Sequence, residues 1–258
     1  YFLKKQSRST GVSDSELIKI AVKSMGLDEL YPFNAEEKII EYVLEAKNKS
    51  SRLIDLSVRE FCELTASESP APGGGSISAA LGALGSALGA MVANLSSHKA
   101  GWDERWEEFS DWAECGKKCQ DELLVLIDKD PDAFNQIMAT WKLPASTTEE
   151  KNAKEQAVQQ AVLNAIAVPF RIMEVSLESL DVAEAMVKDG LPASLSDAGV
   201  AALCARSAVM GAYLNVKINS ADLSDEKQRQ RFLDEGAAVQ ASAIEREHNI
   251  LQAVDERI

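Results

Sequence analysis

The residues best suited to chemistry in this sequence begin with three consecutive glycines, Gly73, Gly74 and Gly75, followed by Ser76. Such a run lets the backbone adopt unusual dihedral angles. At the start of a helix it exposes amide N–H groups that can bind an anion, a carboxylate or a planar heterocycle. The run is not a phosphate-binding loop, because the lysine and the hydroxyl of that motif are missing. A tight turn between packed helices is the alternative interpretation.

One aspartate stands in a sequence that suits two different roles. Asp130 precedes a proline in the segment DKDPDAF, and an aspartate before a proline is typical of the N-cap of a helix. If the surrounding helices are apolar, burial would instead raise the pKa of the carboxyl group and suit it to proton transfer. The residues alone favour the cap and leave the catalytic role open.

A long apolar segment near the end of the chain carries several polar residues. Ser196 begins it, and Asp197, Arg206, Asn215 and Asn219 follow. Asn215 and Asn219 are four residues apart, so on a helix they lie on one face. Two buried amides need hydrogen-bond partners, which either the packing or a polar ligand would supply.

The sequence argues against a metal centre and against nucleophilic catalysis. It has only two histidines, His98 and His248, and its four cysteines form no CxxC pair. We therefore expect no metal site and four reduced thiols. We recognise no secretory signal, so the sequence favours a cytoplasmic protein.

The charge of the chain restricts its partners. There are 41 acidic and 27 basic residues, and the formal net charge is −14. A nucleic-acid-binding protein needs a basic face, and so does a protein held electrostatically at a membrane. We expect neither partner.

The elements that must position these residues are predicted to be helices throughout. Aromatic residues make up only 6% of the chain while alanine and leucine recur, and no alternating strand pattern is found. Capping boxes at Ser13 and Ser57 predict two helix starts, and Thr147 with Glu150 predicts a third. A new helix is expected to begin at Asp130. The predicted fold is an all-α, up-and-down antiparallel bundle of long helices.

The segment Ile77–Leu95 contains no charged residue, which raises the question of a membrane span. Its glycines, serines and alanines leave it only weakly hydrophobic, and small residues such as Gly85 and Gly89 let helix backbones approach closely. This pattern favours a buried central helix of a bundle.

The chain also divides along its length. Residues 47–52 are polar and uncapped, and we interpret them as a linker. Residues 1–52 then form a tail plus linker, and residues 53–258 form the helical bundle.

Several segments together resemble the cyclodeaminase/cyclohydrolase family of folate enzymes. They are the stretch from Ser57 to Leu95 with its PAPGGGS motif, the DxxAF run at Asp130–Phe134, Leu143-Pro144, and SDAGVAALCARSAVMGAYLNVKIN. The resemblance covers about residues 53–258 in the same order. Residues 1–46 resemble the end of a formimidoyltransferase domain, so the chain is interpreted as part of a bifunctional polypeptide.

The resemblance implies a dimeric bundle with a folate site near the subunit interface. It also implies a reaction of histidine degradation, in which 5-formimidoyltetrahydrofolate becomes 5,10-methenyltetrahydrofolate and ammonia leaves. No metal or redox cofactor is implied, since the tetrahydrofolate derivative is the substrate. The family's catalytic aspartate corresponds to Asp130.

Further site residues are implied by the same resemblance. The candidate contacts to folate are Gly73, Gly74, Gly75, Ser76, Ser196, Asp197, Asn215 and Asn219. Because a folate polyglutamate is anionic, we expect a local basic pocket built from Lys99, Arg206 or Lys217 on the acidic surface. The expected partners are folate (poly)glutamate, a second copy of the chain in a homodimer or higher oligomer, and the formimidoyltransferase domain.

Two other functions remain open. A methenyltetrahydrofolate cyclohydrolase would open the same ring with water. A non-catalytic folate-binding assembly module would hold transferase subunits together without turnover.

Overall fold

The computed structural model of the protein describes residues 2–29, 31–47 and 52–258. Its helices, in chain order, are α1 (Phe2–Lys5), α2 (Asp14–Ser24), α3 (Ala35–Lys38), α4 (Ile40–Lys47), α5 (Val58–Thr65), α6 (Gly74–Ser97), α7 (Trp106–Trp141), α8 (Thr148–Asp189), α9 (Leu195–Ser220) and α10 (Glu226–Asp255). No β-strand occurs in these ranges, which confirms the predicted all-α class. The middle of the predicted linker, residues 48–51, lies outside the described residues.

Helices α6 to α9 form an antiparallel bundle that α10 covers on one side. Each of the four packs against the next, α9 packs back against α6, and α10 packs on α8 and α9. The start of α6 lies beside the end of α9, because a Cβ at Gly74 would be 3.0 Å from Asn215 Nδ2. At the other end, the Leu191 N–H donates to Ser96 Oγ at 2.8 Å. The predicted up-and-down topology is confirmed.

Local signals place most helix ends. Ser57 with Glu60 forms the predicted capping box, and Thr147 with Glu150 forms another at the predicted helix start. The box predicted at Ser13 is incomplete, because the Ser13 side chain accepts the Glu16 N–H without a return bond from Glu16. Ser196 does not begin its helix, because α9 starts one residue earlier after a short 3₁₀ turn that contains Pro192.

The predicted helix start at Asp130 is wrong, because α7 runs without a break from Trp106 to Trp141 with Pro131 inside it. A proline has no N–H, so the carbonyl four residues earlier loses its helical donor. That carbonyl belongs to Ile127, and the Ser76 hydroxyl lies 3.0 Å from it as a donor. A side chain from α6 thus supplies the bond that the proline removes.

The second internal proline is accommodated in the same way. Pro169 lies inside α8 and leaves the Ala165 carbonyl without its helical donor. Asn219 of α9 donates its amide to that carbonyl at 2.7 Å. Both helices therefore continue through a proline because a neighbouring helix completes the hydrogen bonding.

Helix α6 lies in the middle of the bundle. Gly74–Ser97, Thr148–Asp189 and Pro192–Ser220 are long and apolar enough to cross a membrane, judged by length and composition. In the most apolar window of each, 61%, 56% and 50% of the residues are buried inside the protein. The apolar residues thus have partners in the bundle, as predicted for Ile77–Leu95, and the absence of a membrane partner stays a prediction.

Residues 9–14 of the tail pack directly on the bundle. Ser9 is buried and its N–H donates to His98 Nε2 at 3.3 Å. The Gly11 carbonyl accepts from Asn94 Nδ2 at 2.7 Å, and a Cβ at Gly11 would collide with Ala113 of α7. A glycine is needed there because the two backbones approach too closely for a side chain.

Close backbone contact between α6 and α9 generates a stability prediction. A Cβ at Gly85 would lie 2.8 Å from Cys204 Cβ and 2.9 Å from the Ala201 carbonyl oxygen. We expect Gly85→Ala to lower the free energy of unfolding by about 1–3 kcal/mol, measured by chemical denaturation. Gly199→Ala is the matched control, because its Cβ would meet Val254 at an ordinary 3.4 Å. The control should be neutral or more stable, by up to about 1 kcal/mol. Equal effects of the two substitutions would contradict this packing.

Candidate active site

The candidate site is built where α7 passes the start of α6. Asp130 projects from α7, and its Oδ2 accepts from the Ser76 N–H at 2.9 Å and lies 3.0 Å from Ser76 Oγ. Ser76 is the third residue of α6, and Gly73, which precedes the helix, has no side chain to cap it. Asp130 therefore caps α6, from a neighbouring helix, and does not cap a helix of its own.

Glycines let the carboxylate approach this helix end. A Cβ at Gly75 would collide with Asp130 Oδ1, whereas a Cβ at Gly73 would meet nothing nearer than 3.8 Å. At Gly74 a Cβ would lie 3.0 Å from Asn215 Nδ2. The structure thus brings together the glycine run, Asp130 and Asn215, from three different helices.

The electrostatics of Asp130 are a balance of opposed effects. Burial raises the pKa of this carboxyl, and the two hydrogen bonds from Ser76 lower it by a smaller amount. Among the described residues, Oδ1 has no hydrogen-bond partner, whereas Oδ2 has both bonds from Ser76. The carboxyl group therefore has one oxygen held by two bonds from Ser76 and one oxygen, next to Gly75, without a hydrogen-bond partner among the described residues.

Two predicted site residues have structural partners. Ser76 is completely buried, and its hydroxyl is within hydrogen-bond distance of Asp130 and Ile127. Asn219 binds the Ala165 carbonyl with its amide. Contact of either side chain with a substrate stays a prediction.

Ser196 and Asp197 lie away from this group. They stand in the first turn of α9, whereas Asn215 is near its end, and eighteen residues of helix span about 27 Å. Within one chain the structure does not bring these two residues together with Asp130, because α6 and α9 are antiparallel. Their contact with a substrate also stays a prediction.

The predicted basic pocket is not assembled from its three candidates. Lys99 follows the far end of α6, and its ammonium lies 4.0 Å from the centre of the Trp102 ring. Arg206 is in the middle of α9, where its Nε is buried without a partner among the described residues. Lys217 alone belongs to the Asp130 end, and its ammonium lies 4.6 Å from the centre of the Tyr213 ring.

The described residues contain no group of three or more His, Cys, Asp or Glu side chains arranged to hold a metal ion. The four cysteines are free, and only Cys119 is fully buried. His98 accepts the Ser9 N–H, and His248 is exposed on α10. The expectation that no metal is needed remains a prediction.

Sequence reasoning missed the part that Ser76 and Pro131 play around Asp130. The signal was present, since a proline with a helical pattern on both sides leaves one carbonyl in need of a donor. What the sequence does not reveal is which distant hydroxyl supplies that donor.

The contact between Gly75 and the carboxylate generates a prediction. We expect Gly75→Ala to displace the Asp130 side chain and so to remove the bonds between Asp130 and Ser76. A crystal structure of the variant would show the displacement, and the free energy of unfolding should fall by about 1–3 kcal/mol. An unmoved Asp130 side chain in that crystal structure would contradict the described geometry.

Comparison with known proteins identifies the family. The profile of formiminotransferase-cyclodeaminase matches residues 57–238, and that of the formiminotransferase domain matches residues 1–45. The formimidoyltransferase-cyclodeaminase of Rattus norvegicus is 33% identical over 239 residues, which are 90% of this chain and 44% of the rat protein. The chain thus spans less than half the length of that relative.

Two shorter proteins resemble the bundle over nearly their whole length. A methenyltetrahydrofolate cyclohydrolase of Methylorubrum extorquens is 33% identical over 78% of this chain and 97% of its own. A crystal structure of formiminotetrahydrofolate cyclodeaminase from Thermotoga maritima has a TM-score of 0.69 at 28% identity, and the match covers 78% of this chain and 96% of that one. From the profile match and these relatives, we conclude that the chain belongs to the formiminotransferase-cyclodeaminase family.

Proposed function

We propose that the protein is a formimidoyltetrahydrofolate cyclodeaminase of the cytoplasm. It would convert 5-formimidoyltetrahydrofolate to 5,10-methenyltetrahydrofolate and release ammonia. The observation that carries the proposal is the half-buried Asp130 carboxyl group, held through one oxygen at the start of α6 with the other oxygen free. The transferase-like residues 1–45 favour deamination, because a formiminotransferase domain in the same polypeptide would transfer the formimidoyl group that the cyclodeaminase then acts on.

The reaction needs one proton to move between two nitrogens. The 10-nitrogen of the protonated substrate attacks the formimidoyl carbon, and the new C–N bond forms as Asp130 takes the proton from that nitrogen. The same carboxyl group then returns this proton to the amino group of the tetrahedral adduct. The C–N bond to that group breaks, ammonia leaves, and the methenyl cation remains. One carboxyl group whose pKa is raised by burial suits both steps.

The free amides at the start of α6 and the amide of Asn215 are the proposed contacts to the folate. The Ser76 N–H donates to Asp130, so the N–H groups of Gly74 and Gly75 in the first turn of α6 are available to bind the substrate. Asn215 donates from its side-chain Nδ2 to the Gly211 carbonyl. Its side-chain oxygen, Oδ1, has no hydrogen-bond partner among the described residues and is proposed to contact the folate. Both contacts are neutral and suit a pterin or an amide better than a phosphate group.

A second candidate function is methenyltetrahydrofolate cyclohydrolase, favoured by the relative from Methylorubrum extorquens. In that reaction Asp130 would take a proton from the water that opens the ring. Incubation with 5-formimidoyltetrahydrofolate, with methenyl absorbance and ammonia measured together, separates the two. Hydrolysis of the methenyl compound without any ammonia release from the formimidoyl compound would exclude the first proposal.

Replacement of the central carboxyl tests its chemical role. We expect Asp130→Asn to lower kcat about 10²–10⁴-fold, because the amide cannot carry the proton, while folate binding stays close to that of the unchanged protein. Steady-state kinetics and equilibrium titration measure the two quantities. Asp132→Asn is the matched control, since Asp132 is exposed two residues away and should leave kcat unchanged. Unchanged turnover in Asp130→Asn would favour a non-catalytic, folate-binding module.

We propose further that the chain forms a homodimer through one apolar surface of α6 and α9. On α6, Leu84 is 66% exposed, and on α9 Leu214 and Ile218 are 62% and 70% exposed. Met91, Leu95, Val200 and Leu203 add to the same two stripes. The two helices pack side by side and the stripes face away from the core, so together they form one surface, here called the α6–α9 surface. An isologous pair would place the Asp130 end of each chain beside its partner.

A charge in this surface tests the dimer. We expect Leu84→Glu to convert the protein to a folded monomer in analytical ultracentrifugation, because a buried unpaired carboxylate opposes association. Val125→Glu is the control: Val125 is also exposed, but it lies on α7 and should leave the oligomeric state unchanged. If Leu84→Glu still forms the oligomer of the unchanged protein, another surface makes the contact.

A further inference from the structure

The hydroxyl of Ser76 faces two acceptors that it cannot serve at once. Its Oγ lies 3.0 Å from the Ile127 carbonyl oxygen and 3.0 Å from Asp130 Oδ2. A serine hydroxyl has one hydrogen to donate and two lone pairs to accept with. Ser76 is completely buried, so water does not compensate for a bond that is missing.

Pro131 is the reason why the Ile127 carbonyl competes for this hydrogen. Any other residue at position 131 would present a backbone N–H to that carbonyl along the helix. With proline there, Ser76 supplies the donor. The demand on the Ser76 hydroxyl is therefore set by the residue next to Asp130 in the sequence.

The two protonation states of Asp130 satisfy this group in different ways. When the carboxyl group is ionised it is only an acceptor, and it draws the Ser76 hydrogen away from Ile127. When the carboxyl is protonated on Oδ2, its O–H donates to Ser76 Oγ and Ser76 donates to Ile127. In the second arrangement both the Ile127 carbonyl and Ser76 Oγ have a donor, and only Oδ1 is left without one, as it is in the ionised state.

We propose that Ser76 is a positioning residue that turns its hydroxyl between Asp130 and the Ile127 carbonyl as the carboxyl group loses and gains its proton. The inference rests on the proposed function, since the same carboxyl group carries the proton there. Pro131 weakens the bond to the ionised carboxylate by competition and so favours the protonated form. The absence of a backbone N–H at residue 131 thus raises the proton affinity of the Asp130 carboxyl group.

Charged groups around the carboxyl do not provide this coupling. Helix α6 presents Gly75 and Ser76 to Asp130, and both are uncharged. Asn215 of α9, also uncharged, lies beside Gly74. The charged residues next to Asp130 in the sequence are Asp128, Lys129 and Asp132, all on α7. On α9, Lys217 is the charged residue at the same end of the bundle. Asp128 accepts the Leu53 N–H at 2.6 Å, and Lys217 lies over the Tyr213 ring. Burial and the Ser76 bonds are the causes of the altered pKa of Asp130.

The test is a double-mutant cycle with the pKa of Asp130 as its readout. The protein is labelled with ¹³C-aspartate, the carboxyl signal is assigned with Asp130→Asn, and it is titrated in four proteins: unchanged, Pro131→Ala, Ser76→Ala and the double variant. Pro131→Ala restores the N–H to Ile127 and leaves Ser76 free for the carboxylate. We expect the pKa to fall by about 0.5–1 pH unit.

In the Ser76→Ala background the same proline replacement should leave the pKa unchanged, because the restored N–H then serves both protonation states equally. The loss of Tm caused by Ser76→Ala should be at least halved when Pro131 is also replaced. Ser86→Ala, which removes another buried hydroxyl of α6 that binds the Gly82 carbonyl, is the control and should not move the pKa. If Ser76→Ala does not fold, Ser76→Cys takes its place as a weaker donor, and the effect of Pro131→Ala should shrink.

The inference is overturned if Pro131→Ala leaves the pKa of Asp130 unchanged, or lowers it equally with and without Ser76. These titrations use the free protein and require no turnover. Absence of both folate activities would contradict the proposed function, whereas the NMR cycle would still decide the role of Ser76.

Discussion

A polar group buried in the apolar interior of this bundle costs free energy unless it is hydrogen-bonded, and the arrangement of the site depends on how two buried carbonyls obtain their donors. Two prolines inside long helices each leave one carbonyl without its helical donor. Ser76 and Asn219, from neighbouring helices, satisfy these two carbonyls. The same bonds that let α7 and α8 continue therefore fix how α6 and α9 lie against them.

Asp130 is part of the same hydrogen-bond network as Ser76 and the Ile127 carbonyl. The start of α6 has no side-chain cap of its own, and Asp130 supplies one across the interface between two helices. Close approach of the carboxylate requires that position 75 has no side chain. A group that would otherwise serve only as a cap is thereby held in a desolvated place, where its proton affinity rises.

The sequence predicted the helical class, the antiparallel topology and the capping box at Ser57, because these follow from periodicity and from residues close along the chain. It placed a helix start at Asp130, since a local rule treats an aspartate before proline as a cap. The structure keeps the capping role but gives it to a different helix, through a contact between residues 54 positions apart. The sequence also placed Ser196 and Asn215 in one site. They lie near opposite ends of α9, and residues close along the chain do not reveal which end of that helix lies beside Asp130.

The packing of residues 9–14 on α6 and α7 has a consequence for how the chain unfolds. Ser9 and Gly11 bind His98 and Asn94 although they precede the sequence boundary near residue 52. Loss of this segment would expose the part of the bundle that it covers, and loosening of the bundle would release the segment. We therefore expect the start of the tail to unfold together with the helices on which it lies, although it precedes the predicted boundary at residue 52.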